Sequence, residues 1–163
     1  MDNLQFDNYF KVRILRDDKI IFDTIIPNGV TTEGRNNLLD VMFNASANAT
    51  WYCGLMATAT ALSADDTMAS HAGWTEFTGY SEATRPEWEA GAAAAGSIEN
   101  PATAYIEFTV NVAGEAQIPG IFIASENTKG GTTGVLWSTG LFNIAPTPAS
   151  GDVVQVQYIV NVN

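Results

Sequence analysis

Few residues of this chain have the chemistry to act on a substrate. It holds one histidine, His71, and one cysteine, Cys53. A nucleophile needs a base beside it, and no Gly-x-Ser-x-Gly elbow is present, so His71 reads as a surface or turn histidine. One His and one Cys cannot close a zinc site. Cys53 sits in the apolar run 51–57 and reads as a small buried hydrophobe. Asp65, Asp66 and Glu76 carry oxygens that suit calcium, but no Asp-x-Asp-x-Asp-Gly loop organises them, and they read as solvated or capping carboxylates. Glu87 and Glu89 flank Trp88 at a spacing that shares one face of a strand, an arrangement compatible with paired glycosidase acids, yet nothing marks either as a buried acid. Gly91–Gly96 runs into Ser97 rather than Gly-Lys-Ser/Thr, and Lys129 precedes its glycines, so both segments read as turns and not as phosphate cradles. Trp51, Trp74, Trp88 and Trp137 offer stacking platforms for a sugar, although core or subunit packing is the commoner fate of tryptophan. The expectation is no catalytic set, no metal and no cofactor.

The elements that must position these residues are mostly strands. Phe10, Val12 and Ile14 alternate with Lys11 and Arg13, Asp17-Asp18 turns the chain, and 20–26 returns as the second arm of a hairpin. Thr31 or Thr32 caps a helix running to about Phe43, with Glu33 in its first turn. Leu38, Leu39, Met42 and Phe43 share one face of it, so it is expected to close one end of a β core. Residues 51–57 form an apolar strand in which Gly54 marks a close approach. Ser63–Thr67 reads as a capped turn or a one-turn helix. Residues 71–100, with Trp74, Phe77, Tyr80 and Trp88, lack a clean period and read as a long ordered excursion, more often interfacial than idle. Strands return at 106–112, at 118–124 (where Pro119 points to an edge or bulge), at 135–143 and at 154–162, the clearest alternation of all. Short strands joined by Gly/Pro/Ser/Thr turns predict a mainly β fold, an antiparallel β-sandwich or jelly-roll-like barrel with one short helix and an N-terminal hairpin. The chain divides into an arm and hairpin at 1–30, read as an anchoring segment, and a body at 31–163.

At 163 residues the chain suits one domain, burying roughly 70% of its unfolded surface. Only 15% of residues are charged, and the net charge is −11. Residues 1–20 are neutral, with Lys11, Arg13, Arg16 and Lys19 against four acids; the remainder sets Arg35, Arg85 and Lys129 against fourteen acids. Such a body repels phosphate backbones and anionic membranes, so neither nucleic acid nor membrane is expected as a partner. No run approaches the ~18 apolar residues of a membrane helix. Asp2 and Asp7 stand where a signal peptide would be basic and then apolar, and the lone thiol implies no oxidising compartment.

From Trp51 onward, about two thirds of the chain resembles a group of tailed-bacteriophage virion proteins. The resemblance rests on Trp51-Tyr52-Cys53-Gly54-Leu55, Ala64-Asp65-Asp66-Thr67-Met68-Ala69-Ser70-His71, Trp74-Thr75-Glu76, Tyr80-Ser81 and Arg85-Pro86. Further on it rests on Gly120-Ile121-Phe122-Ile123-Ala124-Ser125, Lys129-Gly130-Gly131-Thr132-Thr133-Gly134 and Gly151-Asp152. It implies a small structural component of head or tail and brings no catalytic residues. The expected role is a capsid decoration (cement) protein, a homotrimer on the major capsid protein, made in the host bacterial cytoplasm and carried on the virion. Lys11, Arg13, Arg16 and Lys19 are the expected capsid contacts, and Trp74, Phe77, Tyr80 and Trp88 the expected subunit interface. The alternative is a tail or head fibre component that binds host glycans through its tryptophans; a cell-wall hydrolase using Glu87 or Glu89 stands third.

Overall fold

The computed structural model describes residues 5–163. Strands β1 (Tyr9–Arg16) and β2 (Lys19–Pro27) form the hairpin. Asp17 and Asp18 both have positive φ, 50° and 59°, the backbone a two-residue turn needs to match the twist of its strands. The short β3 (Gly29–Val30) leads into helix α1 (Thr32–Phe43). Then follow β4 (Tyr52–Ala59), β5 (Trp74–Phe77), β6 (Ser97–Glu99), β7 (Ile106–Thr109), β8 (Gly120–Ala124), β9 (Leu136–Leu141) and β10 (Val153–Asn161).

These strands make two antiparallel sheets. In the first, β10 lies between β1 on one side and β7 and β6 on the other, with β2 at the edge beyond β1; the second has the order β3-β9-β8-β4-β5. The inward residues of β1 and β10 (Phe10, Val12, Ile14; Val154, Val156, Tyr158) meet Cys53, Leu55, Ile121, Ile123 and Trp137 of the second sheet in one core. Burying two such faces against each other is the main stabilising term of a sandwich. The two sheets are also tied by a polar link, since Trp137 Nε1 donates to Tyr158 Oη at 2.7 Å. The fold is therefore mainly β with two antiparallel sheets and one helix, consistent with a sandwich; no closed barrel is formed among the described residues.

The hairpin is part of this body. Seven residues of β1 pair with β10, and Phe10, Val12 and Ile14 are fully buried in the shared core. Any arm in residues 1–4 lies outside the described residues. Pro119 also departs from expectation: β8 is central in its sheet, and the proline stands just before the ladder, where its missing N–H costs nothing. Gly54 does mark a close approach, since a Cβ there would stand 2.1 Å from the Phe122 ring. That ring belongs to a second apolar layer, Met56, Met68, Trp74, Phe122, Ala124 and Leu136, on the outer face of the second sheet.

Helix α1 begins as the sequence indicates. Thr31 accepts a hydrogen bond from Gly34 N at 2.9 Å, Glu33 accepts from Leu136 N at 2.8 Å, and Asn44 ends the helix. Gly34 lies against β9 so closely that a Cβ would meet Trp137 O at 2.6 Å. Beyond that first turn the expected packing is lost. Leu38 is half-buried, but Leu39, Met42 and Phe43 are 54%, 63% and 78% exposed. The helix is pinned at its start and does not close the core with its apolar face.

Candidate functional site

The titratable residues are dispersed and tied into the scaffold. His71 stacks on Trp74 with ring centroids 3.8 Å apart, and its Nδ1 lies 3.0 Å from Trp74 O. Cys53 is fully buried, and that burial pushes its thiol pKa up. Asp65 accepts from Thr32 Oγ1, Asp66 from Ser63 N and Trp74 Nε1, and Glu76 from Arg85; these three carboxylates face three different partners. Among the described residues, no three His, Cys, Asp or Glu side chains converge to hold a metal ion. Glu87 and Glu89 are both exposed. Lys129 donates to Tyr80 O (2.8 Å) and Glu82 O (2.6 Å), and its Nζ lies 4.1 Å from the Tyr80 ring centroid, so it clamps the excursion in place.

The excursion is held by a buried ion pair. Arg85, 1% exposed, donates from Nε and Nη2 to Glu76 at 2.9 and 2.7 Å, and from Nη1 and Nη2 to Glu126 O and Gly131 O at 2.8 Å each. This bidentate geometry satisfies both charges away from water. It also holds three of the four expected interface residues inside their own chain. Trp74, Phe77 and Tyr80 are 2%, 6% and 3% exposed within their own chain, so they have almost no surface left for a neighbouring subunit. This aperiodic segment is core because β5 (Trp74–Phe77) pairs with β4 and the Arg85 ion pair folds the residues after it back onto the sheet. Tyr80 Oη, raised in pKa chiefly by burial, and Trp88 Nε1 are buried without hydrogen-bond partners.

The four basic residues lie along the hairpin. Lys11 and Arg13 face outward from the first sheet, where Arg13 hydrogen-bonds Gln155 and its guanidinium carbon lies 4.1 Å from the Tyr105 ring centroid. Asp23, Arg13, Gln155 and Glu107 form a row of cross-strand neighbours, so this face is charge-balanced rather than a basic patch. Arg16 pairs with Asp152 through two 2.8 Å contacts, and Lys19 is exposed at the hairpin end.

What the fold gathers is apolar. Under the outer part of α1 lies a groove of about 670 Å³, walled by Phe6, Leu38, Val41, Met42, Ile98, Val160 and Val162 together with Trp51, Trp88 and Trp137. Trp51 lies 5.8 Å from Trp137, and Trp88 stands edge-on to Tyr158 at 5.1 Å between centroids. Asn37, Asn48, Thr50 and Glu87 are its polar members. Of the residues expected at a subunit interface, Trp88 alone belongs to the groove. Phe6, Leu38, Val41, Ile98, Val160 and Val162 were not singled out as site residues, because along the sequence each is an ordinary apolar position. The one available signal was the apolar helical face, assigned inward to the core. No protein-family model matches the chain, and no curated protein matches it.

Proposed function

We propose that the protein is a structural component of a tailed-phage particle, and within that class a capsid decoration protein that stabilises the outer shell as a homotrimer on the major capsid protein. The observation that carries this reading is the contrast between its two kinds of surface. The reactive side chains are scattered and engaged in the scaffold, whereas α1 and the groove beneath it present a contiguous apolar surface of the sort that marks protein–protein contact. The resemblance of residues 51–163 to phage virion proteins gives that surface its setting. The first sheet, with Lys11 and Lys19, faces the capsid in this reading. The test is copy number per particle together with binding to empty expanded capsids. Hundreds of copies and saturable binding support decoration; a few dozen copies or fewer, or turnover of a substrate by the purified chain, would overturn it.

A second reading, a fibre component that binds host glycans, draws on Trp51, Trp88 and Trp137 meeting in one groove. It ranks lower because the walls are largely aliphatic, which would leave most sugar hydroxyls without partners. Glycan-array binding lost in Trp88→Ala would reverse that order.

A further inference from the structure

We propose that the groove is filled by a second copy of this chain, which seats the exposed end of its own α1 in it; the choice of a closed trimer rests on the reading above, but the contact itself does not. The first reason is shape. Leu39, Met42 and Phe43 form a protruding apolar ridge, and Met42 also lines the groove, so a projection and a hollow lie side by side on one face. Each copy can then give its ridge to one neighbour and receive a ridge from another, the arrangement that closes a ring.

The second reason is charge. Each copy carries −11, which opposes self-association over most of its surface. The segment 36–51, which includes the ridge and one side of the groove, contains a single charged residue, Asp40. Two copies meeting here bring together few like charges, Asp40 of the ridge segment and Glu87 of the groove, so opposition is small.

The third is area. Large apolar and aromatic side chains each present on the order of 150–250 Å² when exposed. At 54%, 63% and 78% exposure, the three ridge residues therefore offer roughly 350 Å². With the groove wall that receives it, one such contact buries roughly 700 Å² counting both sides, and a copy that gives one ridge and receives another takes part in two of them.

The test is sedimentation equilibrium of the full chain and of Phe43→Asp, with circular dichroism to confirm that the variant folds. Phe43 is 78% exposed, so its replacement leaves the core intact. The expected result is a closed oligomer for the wild type at micromolar concentration and at least a tenfold weaker association for Phe43→Asp. Added salt should leave the wild-type association unchanged or tighten it, because screening removes repulsion. Mixing Phe43→Cys with the groove variant Ala90→Cys should yield a crosslinked pair, which an intrachain bond cannot mimic.

A monomeric wild type overturns the proposal, as does an oligomer indifferent to Phe43→Asp. A monomer that binds empty capsids and loses that binding in Phe43→Asp assigns the groove to the capsid protein, so this inference fails while the decoration reading stands. An oligomer that ignores capsids leaves the inference standing while the decoration reading fails.

Discussion

Replacing Arg85 by Met tests whether the excursion is held by its buried charge pair. Methionine roughly keeps the side-chain length and apolar stem, so packing over Phe122 is largely preserved while five donors disappear. Glu76, with its side chain 8% exposed, would keep only the 2.8 Å bond from Gly130 N, and the carbonyls of Glu126 and Gly131 would lose a donor each. Breaking a buried pair from one side costs about 3–5 kcal/mol, and an orphaned buried acceptor about 1–3 kcal/mol. These losses share a site and do not add fully, so about 4–6 kcal/mol is expected. That is a large part of the about 5–15 kcal/mol of a typical domain. Equilibrium urea unfolding would read it as a midpoint lowered by about 2 M at an ordinary m-value. The double variant Glu76→Met/Arg85→Met removes the stranded carboxylate but not the stranded carbonyls, so it should recover part of the loss and stay about 2 kcal/mol below wild type. A loss under about 1 kcal/mol in Arg85→Met, or a double variant no better than the sum of its singles, would refute the account.

Three further outcomes follow from the packing and the charges. Gly54→Ala would set a methyl 2.1 Å from the Phe122 ring and should lower stability by about 1–3 kcal/mol, with Phe122→Leu restoring part of it in a thermal melt. Cys53, fully buried and raised in pKa by that burial, should resist a thiol reagent such as DTNB in the folded protein and react stoichiometrically in denaturant; fast labelling under native conditions would contradict the core assignment. The Arg16 side-chain hydrogen bond holds the Asp152 carboxyl below the usual carboxylate range, against a smaller opposing effect of burial. The folded pKa lies under the unfolded one, so the stabilisation is present above the unfolded value and disappears as pH falls through the folded one. Asp152→Asn should therefore be less stable than wild type at neutral pH, and the gap should narrow on acidification below about pH 4, measured by urea midpoints across the acid range.

How legible the fold was can be judged strand by strand. The alternation in Phe10–Ile14 and Val154–Val162 reads directly as one buried and one solvated face, and the helix from the Thr31 cap to Asn44 is likewise local chemistry. Pro119 misled because a proline just before a ladder and a proline on a sheet edge look alike in sequence; only the partners of β8 distinguish them. The excursion misled for a related reason. Trp74, Phe77 and Tyr80 have no period, so nothing local says which way they face; the pairing of β5 with β4, and the bonds of Arg85 to Gly131 O and of Lys129 to Tyr80 O, set them inward.

The candidate site shows the same division more sharply. Composition and local periodicity together determined that this chain is an acidic, mainly β protein with one imidazole and one thiol, since those depend on residue types and their spacing along the chain. Whether the apolar face of α1 meets the core or stands out beside a groove depends on where β9 pins its first turn, a contact between residues about a hundred positions apart. Hydrophobic pattern says that a face must be covered; tertiary structure alone decides what is left to cover it.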